Sequence, residues 1–267
     1  TICQCSGDDY SCFSGENTVD VQHQGPTAVA ALQVGDYVGV KDGAYAVLYS
    51  FGHYDKTASA DYLQISFAEG IEQALEVTYD HMLYIKNEDG SSSVVPAGHV
   101  KVNDRLLSPQ GHAWEVSEIK TVKRRGLYAP YTATGDIVVS GVVASNYISL
   151  SYLPASFPMQ HWMQQALNAP RRMFCRANPN GCKNETYNMV GLSSWVAVHA
   201  KVAVWLNQQH KLFQLGFVYA LVPFLCIVLF VEKVTLSGTA IAILLAGLAW
   251  IVKQKRKERT SRTKKSV

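Results

Sequence analysis

The sequence lacks the short motifs that mark the commonest kinds of ligand chemistry. No glycine-rich phosphate loop, no cysteine and histidine spacing of the zinc-site type and no nucleic-acid-binding motif occurs in its 267 residues. We therefore expect no metal, no cofactor and no nucleic-acid partner. The chain also begins at Thr1 without an initiator methionine, which favours a fragment of a longer precursor. No signal peptide is visible, and its absence carries no conclusion.

Positive charge is concentrated at one end of the chain. The formal net charge is +3, but residues 253–267 hold eight Lys or Arg and one Glu, which leaves the remainder at −4. Before this tail lie two apolar runs without internal charge, Leu212–Val231 and Val234–Val252, of 20 and 19 residues. A membrane helix needs about 20 such residues. We expect two transmembrane helices rather than a buried hairpin, and a basic tail that stays cytosolic or sits on anionic lipid.

Short alternating segments, separated by Gly, Asp and Pro, fill the chain from Thr18 to about Leu150. This pattern is typical of an all-β domain. The expected strands include Thr18–Val21, Tyr37–Val40, Tyr62–Ile65, Met82–Ile85, Trp114–Val116 and Ile137–Val139.

One pattern occurs twice within this region. The spacing Leu32-x-Val34-x-Asp36-x-Val38 recurs as Val100-x-Val102-x-Asp104-x-Leu106, at an offset of 68 residues. Either the match is chance, because alternating apolar residues before an Asp are common in β proteins, or the domain consists of two related β subdomains.

The candidate nucleophile is Cys12. A thiol beside its own preceding carbonyl is held at a very high effective concentration, so an N-to-S acyl shift at the Ser11–Cys12 bond needs no substrate-binding step. The shift is uphill because a thioester is less stable than an amide, and it needs a strained bond and a proton for the leaving nitrogen. The alternative is that Cys12 is a small buried hydrophobe or half of a disulfide.

Thr78 and His81 are the candidate partners of this thiol, at the end of the strand-like segment Ala74–Val77. The hydroxyl would polarise or twist the scissile peptide, and the imidazole would protonate its nitrogen, since its unperturbed pKa lies near neutrality. A Thr-x-x-His pair is frequent by chance, so the assignment depends on partnership with Cys12.

Asp55 lies in a polar stretch, Phe51–Lys56, which follows the predicted strand Ala46–Ser50. Its carboxylate is either a general base for an incoming nucleophile or the partner of Lys56 in a solvated turn. The residues alone favour the turn.

Five blocks in order resemble the autoprocessing domain of Hedgehog precursors, the Hog module of the Hint superfamily that is shared with inteins. They are Cys12-Phe13 with Ser14-Gly15 and Thr18-Val19, the Val34-Gly35-Asp36 turn, Tyr49-Ser50 before Asp55-Lys56, Val77-Thr78-x-x-His81, and Ala129-Pro130-x-Thr132-x-x-Gly135. The strand Ile137–Tyr147 completes the match. The resemblance implies an all-β Hint (hedgehog/intein) fold of two pseudo-repeated β subdomains, followed by a helical transmembrane segment.

The resemblance also implies roles for the candidate residues. Cys12 would form the internal thioester, Thr78 and His81 would activate the scissile bond, and Asp55 would activate a sterol hydroxyl for the second step. The upstream fragment, cut between Ser11 and Cys12, would leave as a C-terminal ester of a sterol or similar lipid alcohol. Two alternatives are simple thioester hydrolysis and an inactive, membrane-anchored interaction module.

Asn146 departs from both branches of the superfamily. Hedgehog proteins typically carry a Cys in this block, so a regulatory disulfide from here to Cys12 is excluded. Inteins complete splicing with a late Asn followed by Cys, Ser or Thr, whereas Tyr147 follows here, and this disfavours splicing. Asn146 either hydrogen-bonds near the thioester or is a buried amide that satisfies strand ends.

After Leu150 the composition changes, and prolines mark a linker with one short helix-like run at His161–Leu167. Cys175 and Cys182 bracket a Pro-Asn-Gly turn beside the glycosylation sequon at Asn184, which suggests a luminal loop with a small disulfide. The expected division is 1–11 as the end of an upstream domain, 12–150 as the Hint domain, 151–211 as a linker or adduct-recognition region, 212–252 as membrane helices and 253–267 as the tail.

The expected location is a membrane of the secretory pathway, such as the endoplasmic reticulum. A hairpin of two spans places residues 1–211 on the same side as the basic tail, whereas the sequon and the cysteine pair place them on opposite sides. One run could instead be re-entrant or lie in the interface, and Gln214 and Pro223 make the first run the weaker span.

Overall fold

The computed structural model describes residues 12–71 and 73–236. Within them, eleven β-strands precede five α-helices. The strands are β1 (Thr18–Val21), β2 (Gly25–Ala28), β3 (Tyr37–Gly39), β4 (Tyr45–Phe67), β5 (Leu75–Val77), β6 (His81–Lys86), β7 (Ser92–Pro96), β8 (Arg105–Leu107), β9 (Ala113–Thr132), β10 (Asp136–Val139) and β11 (Val142–Ile148). Each segment predicted as a strand lies in or overlaps one of these.

Antiparallel pairing joins the eleven strands into one sheet. Its order is β10-β11-β6-β8-β9-β4-β3-β1-β2, with β5 paired to β4 and β7 paired to β6. The two long strands β4 and β9 pair from Leu48 with Thr132 to Phe67 with Val116, and several register shifts interrupt the ladder. This ribbon runs through both halves of the domain and connects them.

The predicted internal repeat is present in the hydrogen bonds as well as in the sequence. The Asp36 carboxylate accepts a bond from the Gln33 amide at 2.8 Å, and Asp104 accepts one from Lys101 at 2.8 Å. Strands β4 and β9 then donate to the carbonyls of Asp36 and Asp104 at 2.8 and 2.9 Å. An aspartate that closes its own turn explains why this residue type recurs. The prediction of two related β subdomains is therefore confirmed.

The largest hydrophobic cluster lies between the two halves and reaches the residue beside the candidate nucleophile. Its fully buried members include Phe13, Val29, Leu48, Ile65, Leu75, Leu83, Leu106, Ile137 and Val142. Phe13 forms isolated bridges to Tyr128 of β9 and Val77 of β5. The core thus holds the backbone at Cys12 against both neighbouring strands.

The stretch Phe51–Lys56, predicted as a turn, lies inside β4. The register of β4 against β9 shifts between Phe51 and Tyr54 and again between Asp55 and Ser59. Such bulges change the direction of side chains without ending the strand. The polar residues that suggested a turn therefore mark irregularities within a long strand.

Helices fill the region where the sequence predicted a linker. They are α1 (Phe157–Leu167), α2 (Ala169–Ala177), α3 (Pro179–Lys183), α4 (Ser194–Asn207) and α5 (Lys211–Leu236). Pro158, Pro170 and Pro179 occupy the first turns of α1, α2 and α3. At these positions the missing N–H of proline costs no helical hydrogen bond, so prolines that suggested an irregular linker instead begin helices.

α5 is one apolar helix with two different faces. Within Lys211–Thr235 an 18-residue stretch reaches a mean hydropathy of 2.4, and the helix suits a membrane span by length and composition. Val218 and Leu225 pack in a cluster with Met163 and Ala166 of α1. The opposite face exposes Leu212, Phe213, Tyr219, Phe224, Ile227 and Phe230. The second predicted span, Val234–Val252, lies outside the described residues from 237 onward, as does the basic tail.

An ion pair between α2 and α5 fixes the far end of the apolar helix. Arg172 donates from Nε and Nη2 to the two carboxylate oxygens of Glu232 at 2.8 and 2.7 Å, and both residues are buried. The bidentate geometry suits a guanidinium and a carboxylate. α5 is therefore attached to the domain through its middle and near its end.

Candidate functional site

The backbone of Cys12 is paired to Thr78 in both directions. The Cys12 amide donates to Thr78 Oγ1 at 2.9 Å, and the Thr78 amide donates to the Cys12 carbonyl at 3.0 Å. The Cys12 nitrogen is the nitrogen of the candidate scissile bond, whose other residue, Ser11, lies outside the described residues. The Thr78 hydroxyl thus touches the atom that has to leave when the bond is cut.

His81 is fully buried at the start of β6, with its ring 4.2 Å from that of Phe13. Its Nε2 lies 2.7 Å from the Ser145 carbonyl. A carbonyl only accepts, so Nε2 carries the hydrogen and the neutral ring is protonated at that nitrogen. Burial lowers the pKa of His81 to about 4, against a smaller raising effect of the Ser145 carbonyl. The imidazole is therefore neutral near pH 7.

Asp55 holds a local turn within β4. Its Oδ1 accepts from the Thr57 amide and hydroxyl at 2.7 Å each and from the Ala58 amide at 3.0 Å. The bonds from Thr57 are the main reason that the pKa of Asp55 lies below its usual value. Lys56 lies over the Tyr54 ring at 5.4 Å. The Asp55 carboxylate also raises the pKa of the Cys12 thiol, as a smaller effect than burial.

Asn146 is a buried amide within β11 that contacts the β9–β10 connection. Its Nδ2 donates to the carbonyl and to the hydroxyl of Thr132 at 3.1 Å each, and its backbone amide donates to Gly135 at 3.0 Å. These contacts are those of a buried amide that satisfies polar groups at the end of a neighbouring strand.

Sequence reasoning missed one residue in contact with the candidate nucleophile. His53 places Nδ1 3.1 Å from Cys12 Sγ, and both side chains are buried. The sequence spacing could have identified His53. Residues two apart in a strand point to the same face of the sheet. If residues 51–56 had been predicted as a strand, His53 and Asp55 would have been placed on the same face.

The charge states of this pair follow from its burial. Burial raises the pKa of the Cys12 thiol, and it lowers the pKa of His53 to about 4, against smaller raising effects of the Val190 backbone and Asp55. Near pH 7 the two groups form a neutral thiol–imidazole contact.

A polar network around Asn17, also missed, fixes the first strand segment against β5. Asn17 Nδ2 donates to the carbonyls of Ser14 at 3.1 Å and Glu76 at 2.7 Å, and Asn17 Oδ1 accepts from the Glu76 amide at 2.9 Å. Arg124 binds the Glu76 carboxylate through Nε and Nη2 at 2.6–3.0 Å. Because Glu76 lies two residues before Thr78, these bonds position the hydroxyl relative to Cys12.

A loop between α3 and α4, residues 188–193, covers His53 and Asp55. Gly191 accepts a bond from the Tyr54 amide at 2.8 Å, and Leu192 bridges His53. A Cβ placed on Gly191 would lie 2.6 Å from His53 Cδ2 and 2.8 Å from Asp55 Cβ. Only glycine fits here, and its φ of +75° is also a glycine conformation.

The helices that carry this loop are attached beside the site. Cys175 of α2 and Cys182 of α3 form a disulfide. Glu185 accepts from Arg171 at 2.6 Å and from the Ser50 hydroxyl on β4 at 2.9 Å. The covering loop is thus connected to the long strand on both sides of His53.

Comparison with known proteins defines the class to which this fold and site belong. Residues 4–207 match the family model of the Hint module, and because this is most of the chain, the protein belongs to the Hint family. It is a hedgehog-like, intein-related domain of the autoprocessing class. The predicted family and the all-β Hint fold are confirmed.

The individual relatives are hedgehog-type proteins. The chain is 30% identical over 154 residues to Warthog protein 6 of Caenorhabditis elegans, covering 54% of this chain and 26% of that protein. It is 25% identical over 224 residues to Tiggy-winkle hedgehog protein of Danio rerio, covering 78% and 51%. The chain thus spans about a quarter of the first relative's length and about half of the second's. Among solved structures, the gp41-1 intein is similar with a TM-score of 0.42, at 14% identity over 51% of this chain and 98% of the intein.

Proposed function

We propose that this domain cuts the Ser11–Cys12 peptide bond of its own precursor through an internal thioester. Sγ of Cys12 attacks the Ser11 carbonyl carbon, the C–N bond breaks, and the Cys12 nitrogen takes a proton and becomes a free amine. The observation that carries the proposal is the contact of the Cys12 amide nitrogen with the Thr78 hydroxyl, with the buried imidazole of His81 packed against Phe13, the next residue. A fully buried thiol in these surroundings is not accessible to molecules in solution, but it is well positioned to attack a peptide bond within its own chain.

The proposed roles follow the contacts. The Thr78 hydroxyl polarises the scissile amide through its nitrogen, and His81, once protonated, supplies the proton that lets that nitrogen leave. The buried, neutral state of His81 means that it takes up this proton only during the reaction.

The proposed second step transfers the upstream fragment to a sterol or similar lipid alcohol. The alcohol oxygen forms a bond to the thioester carbonyl, the C–S bond breaks, and Asp55 accepts the hydroxyl proton as general base. Two observations support a lipid acceptor: the similarity to hedgehog proteins and the apolar α5 within the same chain. Cys12 returns to the thiol.

Hydrolysis is the second candidate, and one observation favours it. The Asp55 oxygen that would act as base already accepts three hydrogen bonds, which lower the carboxylate's pKa and weaken it as a base. Water is abundant and small enough to react without a dedicated base of normal strength.

We further propose that α5 lies along the membrane surface rather than crossing it. Its inner face is attached to α1 and α2, and the Arg172–Glu232 pair fixes its end, so an upright position would separate these buried contacts. The second apolar run, 234–252, would then make the single crossing, with residues 12–211 in the lumen and the tail in the cytosol. The Cys175–Cys182 disulfide and the exposed sequon at Asn184 support this side.

Mass analysis of the upstream fragment tests the proposed function. The full precursor is expressed, and the fragment that ends at Ser11 is isolated from sterol-containing membranes. Transfer predicts a fragment heavier by one lipid alcohol less one water, whereas hydrolysis predicts the bare acid. Cys12→Ala is the control, and cleavage that persists in it contradicts the thioester.

Asp55→Asn separates the two outcomes of the second step. The amide oxygen of Asn can still accept the Thr57 and Ala58 bonds, but it cannot serve as a base. We expect this variant to be cut by an added thiol at the wild-type rate and to give no lipid adduct. An adduct formed at the wild-type rate would leave Asp55 with its turn role alone.

A further inference from the structure

We propose that His53 is a catalytic residue that removes the proton from the Cys12 thiol during the first step. This inference rests on the proposed function. It goes beyond the sequence-based assignments, which gave no role to His53. The contact that carries it is the 3.1 Å separation of His53 Nδ1 and Cys12 Sγ in a buried environment.

The orientation of the ring suits this role. Its Nδ1 edge faces Cys12, while its Cδ2–Nε2 edge faces the covering loop, where a Cβ on Gly191 would lie 2.6–2.7 Å away. The Leu192 bridge and the bond from Tyr54 to Gly191 keep the loop against the ring. The covering loop therefore fixes the orientation of the imidazole ring, and Nδ1 points toward the Cys12 sulfur.

Burial makes a base necessary. A fully buried thiol does not ionise readily, because its thiolate would lose the hydration that stabilises charge. Asp55 increases this difficulty, since its negative charge disfavours a nearby thiolate. A neutral imidazole in contact with sulfur can accept the proton as the S–C bond forms, so that no free thiolate is needed.

Among the titratable groups around Cys12 and His53, His53 is the group suited to act as the base. Asp55 holds its turn through Thr57 and Ala58, and Tyr131 of β9, whose phenol pKa is raised chiefly by burial, is a neutral neighbour of Cys12. The covering loop, 188–193, carries no ionisable side chain.

The proton balance of the step needs no co-reactant. His81 first takes a proton from solvent. The thiol proton then moves to His53 Nδ1, sulfur bonds to the Ser11 carbonyl carbon, the C–N bond breaks, and the protonated His81 gives its proton to the Cys12 nitrogen. His53 finally returns its proton to solvent, so both histidines end neutral. S–H and C–N bonds are replaced by C–S and N–H bonds.

His53→Asn tests the inference, because Asn Oδ1 occupies the position of Nδ1 and can accept the S–H bond, yet it cannot hold a proton near pH 7. Cleavage of the full precursor is measured with dithiothreitol, at concentrations where the rate no longer depends on the thiol. His53→Gln is a second variant, and melting temperatures verify folding. The matched control is His161→Gln on α1, a half-buried histidine outside the proposed site, and it should keep the wild-type rate.

We expect His53→Asn to be slower by about 10²–10⁴-fold near pH 7, the usual effect of removing a general base. The difference in rate between the variant and the wild type should shrink about tenfold for each unit by which the pH is raised. At higher pH hydroxide removes the thiol proton, so the base supplied by His53 is no longer needed. A merely structural role predicts a deficit that is independent of pH.

The outcomes are distinguishable from failure of the proposed function. A folded His53→Asn or His53→Gln variant that is cut within a few-fold of the wild-type rate, or with a pH-independent deficit, overturns the role of His53 alone. A wild-type precursor that dithiothreitol does not cut overturns the thioester proposal and this inference together.

Discussion

At the scale of single residues, Thr78 connects the scissile nitrogen to the sheet. Its hydroxyl accepts the Cys12 N–H at 2.9 Å while its own amide pairs with the Cys12 carbonyl. The hydroxyl and the backbone of one residue thus determine both the position of the peptide and its polarisation.

Thr78→Val removes the hydroxyl with little change of shape. The buried Cys12 N–H loses its acceptor, so we expect the free energy of unfolding to fall by about 1–3 kcal/mol and thiol-induced cleavage to fall by about 10²-fold. Thr78→Ser keeps the hydroxyl and should retain most of both. Thermal unfolding and cleavage rates measure the two effects, and a fully active Val variant would contradict the role of Thr78.

At the scale of elements, the covering loop 188–193 couples the helices to the site. Gly191→Ala forces a methyl group against His53 and Asp55 at a φ of +75°. Gly90, in the β6–β7 turn, has a similar φ of +83° but open space around it. The pair separates backbone strain from the contact at the site.

Both alanine variants should lose about 1–2 kcal/mol of stability, because each places a Cβ at positive φ. Gly191→Ala alone should slow thiol-induced cleavage, by about 10²-fold if the reacting groups move by roughly 1 Å. Equal cleavage rates for the two variants would show that the loop does not position the site.

The sequence predicted the elements that repeat or alternate. The strands, the 68-residue repeat with Asp36 and Asp104, and the pairing of Cys12 with Thr78 depend on local patterns and on family resemblance. His53 and the Asn17–Glu76 network were missed because strand irregularities and bonds between distant segments leave no local pattern. Of the helices of 157–207, only the part of α1 at His161–Leu167 was predicted, and the others were missed because prolines at helix starts resemble prolines in linkers.

At the scale of the whole molecule, three histidines make stability depend on pH, two of them buried (His53, His81) and one half-buried (His161). Burial lowers the pKa values of His53, His81 and His161 to about 4 each, while an unfolded histidine has a pKa of about 6.5. Below about pH 6.5 the unfolded chain therefore binds protons at these histidines that the folded chain does not bind. The stability gained from keeping these rings neutral is present above that pH and is lost on acidification.

We expect the free energy of unfolding to fall from about pH 6.5 towards pH 4, by about 1.4 kcal/mol per pH unit for each histidine where the difference is complete. Chemical denaturation at a series of pH values measures the slope. His161→Gln should remove about a third of it. Constant stability between pH 6.5 and 5 would mean that these rings are accessible to protons in the folded chain.

Membrane topology is also a property of the whole molecule. If residues 12–211 are luminal, protein made in microsomes should become lighter on glycosidase treatment, because Asn184 is exposed and lies in a sequon. Asn184→Gln should show no change. A wild-type band that does not move, together with a tail protected with the catalytic domain, would place both on the cytosolic side.

The site is assembled from residues far apart in the chain, from Cys12 to the loop that ends at Ser193. A ribosome adds about 5–20 residues per second, so the nucleophile exists for roughly 10–40 s before the last part of its surroundings is synthesised. During that interval β4 has been synthesised but its partner strand β9 has not, and His81 has been synthesised before Ser145, whose carbonyl its ring contacts. Under the proposed function, cleavage is therefore delayed until translation has passed the covering loop, and a preceding protein has that time to fold while it is still attached.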